Sequence, residues 1–317
     1  MIAQLPSDPI VGPLPYTPEW WAARRSCIGA SQAAAACGVS PYAQPLDVYL
    51  ECRGEYQREE TAAMRLGKAL EPVVLSEYEL RTAARLIRPV GLYRSRFYPF
   101  IGATPDALRE SDLVPVDAKT STHWRAGEFG DEGTDQIPAD YVMQAQQQIY
   151  VCGAEFADVA VLIDGRTLRV YRVRRHDSLI ARLVEMETAL WERIERGTPP
   201  EPEWNHRGTL ELLKRLHGCA RGELVALPDE AAGYWDRYAR IGRTVKRCEA
   251  VREELYARVL HAIGDTPGGI LPDGREVGKT IVEESVWTEQ DIEDLRVKVG
   301  TTKRRGYVTL RERKARR

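Results

Sequence analysis

From Phe97 onward, apolar residues alternate with polar ones, and this period of two predicts β-strands. Two strand-like stretches, FYPFIGATPDAL and LVPVDAKT, are separated by a polar turn at residues 109–112. A second hairpin, ADVAVLI followed by LRVYRVR, turns at Asp164 and Gly165. Helical stretches alternate with these strands. The order predicts an α/β fold with a central mixed sheet flanked by helices.

Helix signals precede the strands. Thr17 and Pro18 are typical of a capping residue and a first-turn proline, and Ser31 opens a short second helix that ends before Gly38. The stretch TAAMRLGKALEPVVLSEYELRTAAR predicts a long helix that is kinked or restarted at Pro72. Its apolar stripe consists of Leu66, Leu70, Val74 and Tyr78.

Further along the chain, PADYVMQAQQQIYVCG predicts a helix between the two hairpins, and Asp177 caps a long helix through Arg196. The Pro-rich stretch GTPPEPEWNHRG then predicts a linker. We therefore expect a core at residues 1–200 and an accessory extension of helices and a β-hairpin at residues 201–317. The hairpin of the extension turns near residues 271–274.

Composition argues against several classes of protein. Hydrophobic residues make up 43% and charged residues 29% of the chain, and no apolar run approaches the roughly 18 residues of a membrane span. The N-terminal stretch lacks the basic start and apolar run of a secretory signal, so a cytoplasmic protein is expected. Six scattered cysteines without a C-x-x-C pair favour free thiols over a zinc or iron–sulfur site. With a net charge of −2, any surface that binds nucleic acid must be local.

The first hairpin predicts two carboxylates opposite each other. If its turn is centred on residues 111–112, counting outward along both strands places Asp106 opposite Asp117. Directly opposed residues of an antiparallel pair have Cβ atoms about 4.5–5.5 Å apart, so two aspartates there repel each other. A bound divalent cation removes that repulsion, and carboxylate oxygens suit Mg²⁺. The register therefore predicts a metal site.

Lys119 lies two residues beyond Asp117, so both side chains point to one face of the strand. An ammonium group beside a metal-bound carboxylate orients an attacking water or offsets charge on a phosphate during hydrolysis. The alternative is that this D-x-K triplet is an ordinary solvated ion pair on an exposed strand.

Five motifs follow one another within residues 17–197. In this order they resemble the PD-(D/E)xK nuclease superfamily, and more narrowly the YqaJ-type viral recombinase family, which includes the lambda exonuclease. Many members of the family have glutamate where this chain has Asp117, and the family's pattern admits either acid. The motifs are Trp21…Arg24…IGAS (28–31), Glu71 in GKALEP, TPD (104–106), DAK (117–119) and YVMQAQQQIY (141–150).

The resemblance implies a restriction-endonuclease-like core and gives roles to individual residues. Asp106 and Asp117 would be metal ligands, with the carbonyl of Ala118 as a third, and Glu71 would complete the metal shell directly or through water. Lys119 would be the catalytic lysine. The implied metal is Mg²⁺, for which Mn²⁺ can substitute.

The glutamine-rich helix would, by the same resemblance, send amide groups to the active site. Gln146 is counted among the catalytic residues, and Gln144 and Tyr150 among those that bind DNA phosphate. Because Gln144 and Gln146 point in different directions along a helix, only one of them is expected to contact the site. The alternative is a solvated polar helix face.

Arg24 and Ser31 predict an anion site. Ser31 opens a helix, whose free backbone N–H groups bind anions, and the forked donors of Arg24 can approach the same anion. The resemblance implies that this anion is the 5′-terminal phosphate of DNA. The alternative is a simple capping serine and a surface arginine.

Other basic and aromatic residues allow two interpretations. The arginines of the second hairpin would follow a phosphate backbone or pair with acids, and the basic stretch from Lys303 to Arg317 would hold DNA or be disordered. We expect Trp20, Trp21 and Trp191 in the core. The hairpin arginines are Arg166, Arg169, Arg172, Arg174 and Arg175.

The function implied by the resemblance is Mg²⁺-dependent resection of double-stranded DNA ends, in the 5′→3′ direction, for phage-type homologous recombination. A single-strand annealing protein is the implied partner, a homo-oligomer is allowed, and the protein would be phage or prophage encoded and act in the bacterial cytoplasm. Two alternatives stay open: an endonuclease of the same superfamily, and an inactive scaffold that binds DNA ends. The segment GREVGKT (274–280) is one residue short of a phosphate-binding loop, so no ATP use is inferred.

Overall fold

The computed structural model describes residues 10–57, 60–122, 127–217, 225–282, 285–286, 303–304 and 307–313, with side chains up to residue 280. The chain divides into two compact units. Unit 1 is Met1–Ala220 and unit 2 is Arg221–Arg317.

The described residues of unit 1 form seven α-helices, and a 3-10 turn at Ala30–Gln32 leads into the second of them. The predicted helix ends are confirmed at Thr17, whose hydroxyl accepts from the N–H of Trp20 at 3.1 Å, and at Gly153, which is left-handed. The helices are α1 Pro18–Arg25, α2 Ala33–Ala36, α3 Pro45–Arg53, α4 Ala62–Thr82, α5 Ala139–Cys152, α6 Asp177–Arg196 and α7 Thr209–Leu216.

The strands of unit 1 form a five-stranded sheet, with order β3-β6-β7-β8-β9, and a four-stranded sheet, with order β1-β4-β5-β2. Pairs β7–β8 and β2–β5 are parallel and the others antiparallel, so both sheets are mixed. The strands are β1 Ile10–Val11, β2 Ile28–Gly29, β3 Leu86–Ile87, β4 Tyr93–Arg94, β5 Ile101–Ala103, β6 Ala107–Arg109, β7 Pro115–Ser121, β8 Phe156–Ile163 and β9 Thr167–Arg174.

Helices cover both faces of the five-stranded sheet. Val159 and Val161 of β8 pack in one buried cluster with Ile149 of α5, whereas Ala160 and Leu162 pack in another with residues of α4. A strand buried on both faces needs an apolar run on both sides, which explains the sequence of β8. The predicted α/β fold with a mixed sheet flanked by helices is confirmed.

Three expectations about local structure are wrong. The stretch FYPFIGATPDAL forms two strands, β5 and β6, in different sheets, because the chain changes sheet at Thr104 and Pro105, and proline cannot donate to a ladder. Leu66 is 60% exposed, so the first half of α4 is not a buried stripe. Asp177 is the first helical residue, and the ring of His176 caps α6 instead.

The segment predicted as a linker is held by hydrogen bonds within unit 1. The N–H of Glu203 donates to Oε1 of Gln44 at 2.6 Å, and Thr209 is bonded to the amide of the same glutamine at 3.0 Å. The ring of His206 is 3.1 Å from the carbonyl of Ser40. This polar, proline-rich segment is therefore a loop that packs on unit 1 and not a free linker.

Asp158 of β8 is the centre of a buried polar cluster. It is 1% exposed and accepts from the hydroxyl of Tyr78 at 2.7 Å and from Arg172 at 2.9 and 3.1 Å. Arg109 also approaches it, at 3.3 Å, and both guanidinium groups lie over the ring of Phe156. The cluster ties α4 to β6, β8 and β9, directly beside Val116 on β7.

Glu187 is a buried carboxylic acid on the inner face of α6. It is 0% exposed, and neither carboxyl oxygen has a hydrogen-bond partner among the described residues. Burial raises its pKa well above the ordinary value, against an opposing effect of Arg24. The unfolded chain ionises above about pH 4.3, whereas the folded chain keeps the proton until its higher pKa is reached. The free energy of unfolding therefore falls as pH rises between these two values.

We expect Glu187→Gln to raise the melting temperature at pH 8, because the amide carries no charge in either state. The gain should be smaller at pH 5 than at pH 8, because the carboxyl group of the folded wild type is protonated at the lower pH. Glu192→Gln is the matched control, since Glu192 is exposed on the same helix and pairs with Arg196. Calorimetry across this pH range measures both variants, and a gain that is independent of pH would contradict the buried-acid assignment.

Within unit 2, the described residues form one long helix, α8 Glu230–Ile263, and several strands. The predicted hairpin is confirmed, since β10 pairs with β11 on either side of residues 271–275, and GREVGKT lies mostly within β11. The side chains of the basic stretch from Lys303 to Arg317 lie outside the described residues. The strands are β10 Gly268–Ile270, β11 Glu276–Val282, β12 Ser285–Val286, β13 Lys303–Arg304 and β14 Tyr307–Arg313.

None of the described helices is long and apolar enough to cross a bilayer. The cysteines that the structure describes are free thiols: Cys27, Cys37, Cys52, Cys152 and Cys248.

Candidate active site

The predicted register of the first hairpin is confirmed. Ala107 of β6 pairs with Val116 of β7, and Leu108 pairs with Pro115. One residue further out, Asp106 faces Asp117. The carboxylate of Asp106 accepts from the N–H of Ala118 at 2.8 Å, beyond the end of β6.

Asp117 is held from three sides. It is 3% exposed, and its carboxylate forms an ion pair with the ammonium group of Lys119 on the same strand face. Its Oδ1 accepts from the amide of Gln144 at 2.8 Å and from that of Gln148 at 3.0 Å. Helix α5 therefore fixes the orientation of this carboxylate against the strand.

Asp106 and Glu71 are acids whose ionisation is opposed by their surroundings. Burial, and then the carboxylate of Asp117, raise the pKa of Asp106 well above its ordinary value, although Lys119 opposes the shift. Burial and Asp117 likewise raise the pKa of Glu71, which α4 brings to the same site. One ammonium group does not compensate three converging acids, and this is the electrostatic condition under which a cation binds.

Lys119 stays protonated. Burial alone lowers its pKa, but the carboxylates of Asp117 and Asp106 outweigh that effect and raise the pKa above the ordinary value. The ammonium group also lies 5.3 Å from the centre of the Tyr141 ring. Lys119 is therefore suited to supply positive charge rather than to accept a proton.

The glutamine helix reaches the site through Gln144, as expected, but not through Gln146 or Tyr150. Gln144 contacts Asp117, but Gln146 is directed away, because its amide donates to the carbonyl of Arg174 at 2.6 Å and accepts from the N–H of His176 at 3.0 Å. Tyr150 is fully buried, with its hydroxyl 3.2 Å from that of Ser95. The placements of Gln146 and Tyr150 in the site are therefore wrong.

Gln148 is a site residue that the sequence reasoning missed. A signal was present, because residues four apart share a helix face, and Gln148 lies four residues after Gln144. The two amides bind one carboxylate oxygen for that reason. Gln146 and Tyr150 are also four residues apart, but both are buried and face the core.

Arg24 and Ser31 are brought together as predicted. The guanidinium of Arg24 donates to Oε1 of Gln32 at 2.6 Å and lies 3.4 Å from the hydroxyl of Ser31. Gly29 makes this approach possible, because a Cβ atom there would stand 2.5 Å from Cζ of Arg24. Ser31 lies within a 3-10 turn rather than at the start of an α-helix.

One cleft of about 850 Å³ joins the two predicted sites. Arg24 and Ser31 line it together with Glu71, Asp106 and Lys119. Residues far apart in the sequence thus face a common space large enough for a nucleotide.

Two aromatic residues of the cleft were not foreseen. Trp21 lines the cleft and is 43% exposed, so its predicted core position is wrong, whereas Trp20 is buried and donates to Thr104 at 3.1 Å. Tyr16 also lines the cleft and has a left-handed backbone, with φ of 66°, which is strained for a bulky residue. Burial and the charge of Glu71 raise the pKa of its hydroxyl.

The structure also describes Trp191 and the arginines of the second hairpin, for which the sequence left two interpretations open. Trp191 packs in the core region as expected, stacked on Phe100 with ring centres 5.4 Å apart. Arg172 pairs with Asp158, and Arg175 pairs with Asp177 at 2.6 Å. For these two hairpin arginines the acid-paired alternative is the one observed.

The donor set of the site fits a hard divalent cation. No three His, Cys, Asp or Glu side chains within the described ranges stand close enough together to form a metal site by themselves. Mg²⁺, however, needs only one or two protein carboxylates, with water and substrate phosphate oxygens filling its shell. Asp106 and Asp117 supply two such groups. The carbonyl of Ala118 faces the same side, because the N–H and C=O of a strand residue point in one direction.

The region that contains these residues also matches a family of known proteins. Residues 19–155 match the family model of the YqaJ-like viral recombinase domain. All the candidate site residues above lie within this matched region except Tyr16.

The chain has relatives of known sequence and structure. The protein YqaJ of Bacillus subtilis (strain 168) is 24% identical over 277 residues, which is 86% of each chain. The crystal structure of an alkaline exonuclease, LHK-Exo, from Laribacter hongkongensis is 24% identical, covers 62% of this chain and all of its own, and has a TM-score of 0.49. The structure of LHK-Exo in complex with dAMP is 23% identical, covers 63% of this chain and 97% of its own, and has a TM-score of 0.50. This last likeness shows a shared fold.

Proposed function

We propose that this chain is a metal-dependent DNA exonuclease of the PD-(D/E)xK type that resects double-stranded DNA ends. The observation that carries the proposal is the convergence of Asp106, Asp117 and Lys119 with Glu71 at a cleft that also holds Arg24. The match to the YqaJ-like family model and the fold shared with an alkaline exonuclease support it. So does the dAMP bound in the crystal of that relative.

The two aspartates and the carbonyl of Ala118 would hold Mg²⁺, or Mn²⁺ in its place, with Glu71 completing the shell directly or through water. Such an ion acidifies a bound water and stabilises the pentavalent phosphate. Gln144 and Gln148 orient the carboxylate of Asp117. The protonated Lys119 offsets the negative charge that develops on the phosphate.

Arg24 and Ser31 would bind the 5′-terminal phosphate, which gives resection a 5′→3′ direction. The guanidinium is already held in the cleft by Gln32, so little conformational entropy is lost when the phosphate binds. We extend the proposal to a role in phage-type recombination beside a single-strand annealing protein in the bacterial cytoplasm. The nuclease core would comprise residues 1–200, with residues 201–317 as an accessory extension.

The deciding experiment uses linear duplex DNA labelled separately at each 5′ and 3′ terminus, with Mg²⁺ or Mn²⁺ and with EDTA as the metal-free control. We expect mononucleotides released from the 5′ terminus, and no release in EDTA. A covalently closed circle of the same sequence should stay intact. Cleavage of the circle would instead indicate an endonuclease, and binding of ends without any release would indicate an inactive scaffold.

Arg24→Ala should lower the preference for 5′-phosphorylated over 5′-hydroxyl ends by about tenfold or more, since a hydrogen bond to a charged group contributes about 1.5–3 kcal/mol. Arg25→Ala is the matched control, because Arg25 also lines the cleft and carries the same charge. Initial rates on the two kinds of end measure the ratio. An unchanged ratio in Arg24→Ala, or an equal fall in both variants, would contradict the role of Arg24.

A further inference from the structure

Helix α8 is a 34-residue helix that is exposed along nearly its whole length. Ile263, at its C-terminal end, is the only one of its residues with a buried side chain. Large apolar side chains are nevertheless frequent on it. Tyr234, Tyr238, Ile241 and Leu255 are each more than 50% exposed. An exposed apolar surface of this length marks a contact with another molecule.

Nine positions of α8, eight of them without charge, follow a heptad pattern, whereas Trp235 and Val251 lie beside it. From Tyr234 to Ala262 the spacing alternates strictly between four and three residues, which places one continuous stripe along the helix. Arg252 is the one charged residue in the stripe. The stripe consists of Tyr234, Tyr238, Ile241, Val245, Cys248, Arg252, Leu255, Val259 and Ala262.

The charged residues of α8 outside the stripe are divided by sign along the helix. Residues 234–248 carry five arginines and lysines against the single acid Asp236, whereas residues 249–263 carry three glutamates against the single arginine Arg258. Two parallel copies would place the strongly basic halves beside each other. Two antiparallel copies would place each basic half beside the acidic half of the other helix, which is the favourable arrangement.

We propose that α8 pairs with α8 of a second copy of this chain as an antiparallel coiled coil, so that the protein dimerises through unit 2. Pairing centred at Ala250 sets Ile241 of one copy opposite Val259 of the other, and Val245 opposite Leu255. Arg252 then lies opposite Cys248 of the second copy, one residue from its Glu249, which gives the one charge in the stripe an acidic neighbour. Burial of the stripe stabilises a helix of which only Ile263 is otherwise buried.

The first test is the mass of the full chain in solution, measured by sedimentation equilibrium over a range of concentrations. We expect a dimer for the wild type and at least a tenfold weaker dimer for Leu255→Asp, which puts a charge into the stripe. Ala257→Asp is the matched control, because it adds the same charge on the outer face two residues away. A monomer at all concentrations, or an oligomer of any size that Leu255→Asp leaves intact, would overturn the proposal.

The second test determines the direction of the helices. In a Cys248→Ser background, Ile241→Cys combined with Val259→Cys should give a disulfide between residue 241 of one copy and residue 259 of the other, identified by peptide mass. The control uses Cys248 of the wild-type chain. In a parallel pair Cys248 would face Cys248, and an efficient disulfide between these two residues would overturn the antiparallel arrangement.

Discussion

Asp117→Asn should reduce release of nucleotides from linear duplex DNA by on the order of a thousandfold or more. The substitution removes the negative charge but keeps an oxygen that Gln144 and Gln148 can still bind. The loss would therefore follow from the missing metal ligand rather than from a disturbed helix contact. Initial rates with saturating Mg²⁺ measure it.

Asp112→Asn is the matched control for this variant. Asp112 lies in the turn of the same hairpin and pairs with Arg109 at the surface, away from the cleft. We expect it to retain the activity of the wild type. Lys119→Ala should show a loss similar to that of Asp117→Asn, because the ammonium group is the positive charge paired with Asp117.

Binding of duplex DNA should survive in both inactive variants, because contacts to phosphates elsewhere carry most of the affinity. Electrophoretic mobility shifts at fixed salt concentration measure it. If Asp117→Asn and Lys119→Ala lost binding and melting temperature along with activity, these residues would be part of the folding core and the catalytic assignment would be refuted.

Asp158→Ala should destabilise unit 1 by about 3 kcal/mol. Removing one partner of a buried ion pair typically costs about 3–5 kcal/mol, and the partial exposure of Arg172 and Arg109 places this case at the lower end. The hydroxyl of Tyr78 also loses its acceptor. Urea unfolding followed by far-ultraviolet circular dichroism measures the change.

Asp164→Ala serves as the comparison, because Asp164 lies at the exposed turn of the next hairpin. We expect a smaller loss of about 1 kcal/mol there, because alanine is strained by the left-handed backbone of this position. If Asp158→Ala were as stable as the wild type, the arginines would have found other partners, and the cluster would not hold β8 against α4.

The sequence predicted the strand pairing of the first hairpin correctly. A polar turn at residues 109–112 fixes the register, and a strand period of two then fixes which residues face each other. This local geometry alone therefore predicts that Asp106 faces Asp117 and that Lys119 lies on the same face of the strand. The helix ends at Thr17 and Gly153 could also be predicted from the local sequence, because a cap depends on one side chain or one left-handed residue.

The tertiary structure alone decided which glutamines serve the site. Gln144, Gln146, Gln147 and Gln148 have the same side chain, but each helix position faces a different neighbour. Gln144 and Gln148 face β7, whereas Gln146 faces the end of β9, and Gln147 donates to the carbonyls of residues 28 and 102. Amphipathic periodicity cannot assign these contacts when every candidate is polar.

Tertiary packing also decided that Arg24, Glu71 and Asp106 line one cleft. The sequence determined each local element, because capping, turn geometry and strand register depend on residues a few positions apart. The distances between α1, α4 and β7 depend instead on how β8 is buried between two layers of helices. That arrangement sums many contacts between residues far apart in the chain, so only the folded structure brings the predicted residues to a common space.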